Sequence, residues 1–253
     1  VDCGGEKVRG EIAAKIAECL RLIFAGDKDP QVLLNSLRLL SKVAKKAGPK
    51  AIESHAKGLF EAISCYFPVL FVPRPPIGSP ASATVAKEDM VMALRECMAS
   101  TAAFAPYSLQ FLLDRTQSSI MASRADAFLT LAACIKSYGT AKCGDDFPEK
   151  LRKMLEDVSF GNDSEVIYSS FQELVRVILD QWNSSQSVQT DFLKGLLEKC
   201  LIESDPTPEA EDKELMDSAR QIMRRCLVFK QCYPTLVWFT EELSRRLKLG
   251  GTL

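Results

Sequence analysis

Apolar side chains return every three or four positions along most of this chain, and turn residues cut the pattern after each helix-length run. Ile167, Phe171, Leu174, Ile178 and Trp182 follow one another at steps of four, three, four and four. That spacing puts all five on one face of a helix. Val175 and Leu179 widen the face, as expected of a helix that touches neighbours on two sides. Leu33, Leu37, Leu40 and Ala44 repeat the spacing, as do Ile52, Ala56, Leu59 and Ile63, and again Leu215, Ala219, Ile222 and Cys226. No stretch sustains the strict alternation of a half-buried strand. The pattern predicts an all-α fold.

The breakers set the lengths. Gly26-Asp27-Lys28-Asp29-Pro30 predicts a helix over about 30–46, with Asp29 as N-cap and Pro30 in the first helical position. Gly48-Pro49 ends it and starts another, about 49–64. Further helices are expected near 87–99, 102–116, 120–138 and 147–158, then from the Asn162-Asp163 cap to Trp182, and near 187–202, 209–228 and 233–247. Helices of this length joined by short turns fold back as antiparallel hairpins. A row of such hairpins is an α-solenoid of the HEAT or armadillo kind. Asp29-Pro30-Gln31-Val32 and Asp163-Ser164-Glu165-Val166 share an Asp-x-x-Val start that resembles the HEAT repeat. The expected organisation is one solenoid fragment over 1–253, a single globular α-domain being the alternative.

Two segments interrupt the rhythm. Residues 66–86 carry too many prolines for a helix, and their apolar side chains predict an extended strap packed on the helices. Within it Pro73-Arg74-Pro75-Pro76 reads either as a polyproline II ligand or as a cover over one side of the stack. Glu203 to Asp212 reads as an acidic loop or a frayed helix start.

Composition narrows the function classes. Of 253 residues 47% are hydrophobic and 26% charged, enough apolar material for a packed fold. A net charge of −1 provides no general field for gathering nucleic acid or an anionic membrane surface. No apolar run reaches the roughly 18 to 20 residues that a membrane-spanning helix needs. The first residues carry no signal-peptide pattern and no starting methionine, so a piece of a longer protein is expected.

The nine cysteines, Cys3, Cys19, Cys65, Cys97, Cys134, Cys143, Cys200, Cys226 and Cys232, are odd in number and scattered. Cys19, Cys97, Cys200 and Cys226 fall where a helix places its apolar stripe, as buried thiols of a reducing compartment would. No pair has C-x-x-C spacing, and the lone histidine, His55, has no second histidine beside which to bind zinc. A metal site assembled from distant cysteines is the remaining route to a cofactor, and none is expected. His55 would need a nucleophile or carboxylate brought to it to act as a base, and no phosphate loop or nucleophile elbow is present. The chain reads as a non-enzyme, with no catalytic, cofactor or metal residue assigned. Lys42, Lys45, Lys46, Lys50 and Lys57 gather around one hairpin, and Arg224, Arg225 and Lys230 around another. Each group is either a solvated face or a surface for an acidic partner or a phosphate backbone. Thr207-Pro208 and Ser79-Pro80 are formal phosphorylation dipeptides.

A family comes into view in the strap and the helices after it. Cys65-Tyr66-Phe67-Pro68, then Phe71, Pro73 and Pro75-Pro76, resembles the large HEAT-repeat adaptors of the cytosolic iron–sulfur targeting complex, also known as nucleotide-excision-repair and transcription adaptors. The resemblance continues through Glu88-Asp89, Ala93-Leu94-Arg95, Ala99-Ser100-Thr101, Phe104-Ala105, Leu112-Leu113, Asp126 and Leu129-Thr130-Leu131 to Tyr138-Gly139. Arg124 departs from the lysine that family carries before Ala125-Asp126, one base for another. The resemblance implies the N-terminal region of a non-catalytic adaptor in cytoplasm and nucleus, which brings apo-protein clients of DNA repair and replication to the assembly machinery. It implies as partners the targeting-complex subunits, client iron–sulfur enzymes and the TFIIH helicase, with no direct nucleic acid and no membrane. It supplies no catalytic or partner-contacting residue. A HEAT-type transport receptor or other helical-repeat scaffold is the competing reading.

Overall fold

The computed structural model describes residues 3–70, 85–144, 146–157 and 165–181, and every regular element among them is helical. These are α1 (Cys3–Gly26), α2 (Pro30–Ala47), α3 (Pro49–Ile52), α4 (Ala56–Ser64), α5 (Lys87–Met98), α6 (Ala105–Arg115), α7 (Met121–Tyr138), α8 (Thr140–Cys143), α9 (Phe147–Asp157) and α10 (Glu165–Gln181). They gather into two compact units, one from residues 1–115 and 133–143, the other from 116–132 and from 144 onward. The expected helices beyond residue 181 lie outside the described residues, as do the acidic 203–212 segment, Arg224, Arg225 and Lys230.

In the first unit α1 and α2 are joined by three residues and pack as a hairpin. Asp29 caps α2 by accepting hydrogen bonds from the backbone N–H groups of Gln31, at 2.7 Å, and Val32, at 3.2 Å. Two of the donors that a helix start leaves unpaired are thereby satisfied. Gly48, at φ +79°, stops the helix, and its N–H donates to the Ala44 carbonyl. Only glycine takes that backbone conformation without strain. The predicted stripe of Leu33, Leu37, Leu40 and Ala44 is buried throughout. Each leucine stabilises the unit by about 1.5–3 kcal/mol through area removed from water. α2 also packs against α5, where the Ser41 hydroxyl donates to the Glu96 carbonyl and Arg38 stands 3.7 Å from Asp89.

Two expected helices are bent. The 49–64 run divides at a 3₁₀ turn over Glu53–His55, and the 102–116 run opens with a 3₁₀ turn over Ala102–Phe104. In the second case Pro106 lacks the N–H that would bond back to Ala102, so the first turn tightens instead. In the first, no proline or glycine intervenes. Ile52 and Ala56, on either side of the turn, are both buried, and α3 and α4 both pack on α1. Packing, not local sequence, sets that bend.

The strap is described only at its ends. Phe67, Val69 and Val85 are buried, and the Tyr66 hydroxyl donates to the Phe24 carbonyl at 2.6 Å, satisfying one of the last carbonyls of α1. Residues 71–84, with Pro73-Arg74-Pro75-Pro76 and Ser79-Pro80, lie outside the described residues.

The first unit closes around a polar knot. The Tyr138 hydroxyl, from the end of α7, donates to the Met98 carbonyl of α5 at 2.5 Å and lies 3.1 Å from the Ser108 hydroxyl of α6. Both side chains are buried. In the second unit Phe128 and Phe171 meet edge to face at 5.4 Å, beside buried Ile167, Leu174, Val175 and Ile178. Four of the five residues of the predicted 167–182 stripe are thus in a core, and Trp182 lies outside the described residues.

Candidate protein-binding surface

Basic side chains collect where α2 ends, α3 begins and α8 follows α7. Lys45 and Lys46 occupy the last turn of α2, where cations complement the partial negative charge of a helix C-terminus. Lys42, Lys45, Lys46, Lys50 and Lys142 are exposed and make no ion pair among the described residues. Lys57, read in the sequence as part of this group, stands instead 3.9 Å from Glu61 on its own helix. Lys142 was not legible as a member, because its proximity depends on the fold.

Lys50 and Lys142 line one cleft of about 360 Å³, together with Glu53, Pro49, Pro106 and Tyr107. Ala102, Ala103 and Ala105 complete the lining, and their small side chains leave it open. The Tyr107 ring stacks on Phe60 at 6.3 Å, and Phe60 also meets Phe104 and Phe111. Arg115 lies 5.0 Å over the Phe111 ring. The aromatic cluster fixes Tyr107 from behind, while its hydroxyl makes no hydrogen bond among the described residues. Two ammonium groups and a phenol are thus available as donors around one carboxylate acceptor.

His55 sits elsewhere, in the 3₁₀ turn against α1, its Nδ1 3.7 Å from a Glu18 carboxylate oxygen. The fold therefore does bring it a carboxylate, one that lies far from it in the sequence. Arg21 already binds that carboxylate through two hydrogen bonds, at 2.7 and 3.0 Å, and holds its pKa below the usual range. Gly58 makes room for this pair: a Cβ there would stand 3.1 Å from the Arg21 Cδ. A carboxylate so engaged is a poor partner for general-base chemistry.

The thiols divide by burial. Cys97 is buried, as its position on the apolar stripe predicted, and so are Cys134 and Cys143. Cys19 is exposed, contrary to expectation. α1 carries apolar residues over much of its circumference, and the arc of Ala13, Ala17, Leu20 and Phe24 is the buried one, leaving Cys19 on the other with Ile12. Cys65 is exposed, and Cys3, Cys200, Cys226 and Cys232 lie outside the described residues or their described side chains. Burial pushes the Cys134 thiol up to about 12, that of Cys143 to about 11, and that of Cys97 further still. Thiols so placed stay protonated and are poor nucleophiles or metal ligands. Among the described residues no three His, Cys, Asp or Glu side chains cluster as metal ligands would. No described helix is long and apolar enough to cross a membrane.

Residues 6–160 match a family profile described as the Dos2-interacting transcription regulator of RNA-Pol-II. The chain is 30% identical over 235 residues to the MMS19 nucleotide excision repair protein homolog of Xenopus laevis, covering 91% of this chain and 20% of that protein. It is 29% identical over 228 residues to the Homo sapiens protein of the same name, covering 87% and 19%. With the Mus musculus protein it shares 34% over 128 residues, 50% of this chain and 12% of the relative. The chain spans about a fifth of the length of the relatives it matches across most of its own length.

Proposed function

The chain belongs to the MMS19 family, and on that premise we propose that it is a non-catalytic scaffold region of a repair- and transcription-linked adaptor. In this reading the whole protein brings apo-protein clients, among them enzymes of DNA repair and replication, to the cytosolic iron–sulfur targeting machinery. It works in cytoplasm and nucleus, its partners being targeting-complex subunits, client iron–sulfur enzymes and the TFIIH helicase. The observation that carries the reading is the family match over 6–160, which falls on paired helices bearing exposed, unpaired lysines. Two further features agree with it. The buried thiols are held in their protonated form, and the single histidine faces a carboxylate already bound by arginine. A scaffold needs a broad surface with a few anchors rather than a reactive centre.

Affinity purification of the full-length protein from cells tests this. Co-recovery of iron–sulfur assembly subunits and cluster-containing repair enzymes is the expected result. A preparation that repeatedly lacks both, while recovering other partners, overturns the reading.

A further inference from the structure

We propose that the cleft between the 3₁₀ turns is a docking site for an extended acidic peptide segment of a partner protein, with Lys50 and Lys142 as its anchors. The proposal rests on the reading of the chain as a protein-holding scaffold and names the chemistry of what it holds.

Three observations converge on it. The first is charge. Lys50 and Lys142 both border the cleft and neither has an acidic partner among the described residues, while Lys42, Lys45 and Lys46, likewise without an ion pair among them, lie toward the neighbouring helix end. Some exposed charges elsewhere are paired, as in Arg21–Glu18, Lys57–Glu61 and Lys150–Asp146, and others such as Lys15 and Lys28 are not among the described residues; what sets this group apart is that its lysines lie together beside one cleft. A run of unpaired ammonium groups is electrostatically incomplete and attracts carboxylates during encounter.

The second is hydrogen bonding. The Tyr107 ring is held in place by the stack on Phe60, yet its hydroxyl has no hydrogen-bond partner among the described residues. A phenol there donates to a carboxylate or a peptide carbonyl, and Glu53 accepts from a peptide N–H. Donors and an acceptor around one groove match the alternating groups of an extended main chain. The third is size and lining. About 360 Å³ is at the small end of ligand pockets, which run from about 300 to 1,000 Å³. Alanine, proline and tyrosine walls suit a short stretch of chain.

Glu53 argues against a phosphate backbone as the occupant. A fixed carboxylate on the wall repels acidic side chains and phosphates alike, but a peptide main chain offers it an N–H in return and a phosphate backbone does not. The overall charge of −1 adds no general attraction for nucleic acid.

Fluorescence anisotropy with the full chain tests the site. The probe is a fluorescein-labelled twelve-residue peptide rich in aspartate and glutamate with one central aromatic. Its Gln/Asn analogue and a single-stranded oligonucleotide of equal charge serve as comparisons. The acidic peptide binds, the amide analogue does not, and added salt weakens the complex. The double reversal Lys50→Glu with Lys142→Glu lowers affinity by about tenfold, the sum of several exposed ion-pair terms. Tyr107→Phe lowers it by about threefold, one hydrogen bond. Glu53→Gln raises it by about twofold, because a repulsion is removed. The control Lys15→Glu makes the same kind of charge reversal on α1, at a residue that does not line the cleft, and leaves binding within about twofold of the parent. Thermal melts establish that each variant folds. Equal binding by the double reversal, an equal loss in the Lys15 control, or tighter binding of the oligonucleotide with the same lysine dependence would each overturn the proposal. Those results would leave the co-purification test of the adaptor reading untouched, so the two ideas fail separately.

Discussion

Tyr138→Phe removes one oxygen atom from the first unit and should cost more than any surface change. The hydroxyl donates to the Met98 carbonyl and lies 3.1 Å from the Ser108 hydroxyl, inside a site where Ser108 is fully buried. Phenylalanine fills the same space, so no cavity forms and the whole effect is polar. Each net hydrogen bond is worth about 0.5–1.5 kcal/mol, and a buried group left without a partner costs about 1–3 kcal/mol. Met98 lies at the end of α5, where carbonyls have no partner within the helix. The expected loss is therefore about 2–4 kcal/mol, a large part of the 5–15 kcal/mol that holds a typical domain folded. Ser108→Ala leaves the bond to Met98 intact and should cost only about 1 kcal/mol.

Urea unfolding followed by circular dichroism reads both variants. With a slope of about 2 kcal/mol per molar, the Phe variant's first transition moves down by about 1–2 M without a change in slope. The same knot has a pH signature. Burial raises the Tyr138 pKa well above its ordinary value of 10.0. Its stabilising contribution is thus complete below pH 10 and lost as pH rises from there toward the folded-state value. The buried thiols titrate in the same sense, so the informative quantity is the difference between parent and variant. That difference should shrink above pH 10. A midpoint shift under about 0.3 M, or a difference that stays constant from pH 8 to 11, would refute this account of the knot.

Other outcomes follow from the same structure. Iodoacetamide at pH 8 should label Cys19 and Cys65 in the native chain and spare Cys97 and Cys134 until urea is added; peptide mass spectrometry giving equal labelling would contradict the burial argument. Asp29→Ala should destabilise the first unit by about 0.5–2 kcal/mol, because two N–H groups of α2 lose their acceptor, and a melt indistinguishable from the parent would remove that cap from the account. Leu40→Ala, at a fully buried position facing the other helices, should cost about 2–5 kcal/mol in urea titration, whereas Leu39→Ala, on the exposed side of the same helix, should cost under about 0.5 kcal/mol.

Much of the fold was readable because helix period and turn chemistry are local. The Asp29 cap, the Pro30 start and the Gly48 stop define α2 to within a residue of expectation. The stripes through Leu40 and Leu59 point inward as their spacing requires. The bend at Glu53–His55 was not readable, since nothing in its own residues forces it and the packing of Ile52 and Ala56 on α1 does. Cys19 misled because α1 is apolar on two arcs, and spacing cannot say which is buried. The cleft was half legible. Lys50 belonged to a visible basic group, but Lys142 and Tyr107 reach it only through the turns of the folded chain. The Glu18–His55 approach and the Tyr138 knot likewise join residues far apart in sequence, and periodicity carries no information about such pairs.

Crosslinking mass spectrometry on the full-length protein in its native complex, with an acidic-to-amine reagent, reaches the main idea in one experiment. Bonds from Lys50 and Lys142, and from the adjoining Lys42, Lys45 and Lys46, to acidic stretches of iron–sulfur assembly or client proteins are the result to expect. Partner crosslinks confined to other helices, with these five lysines joined to nothing outside their own chain, would contradict it.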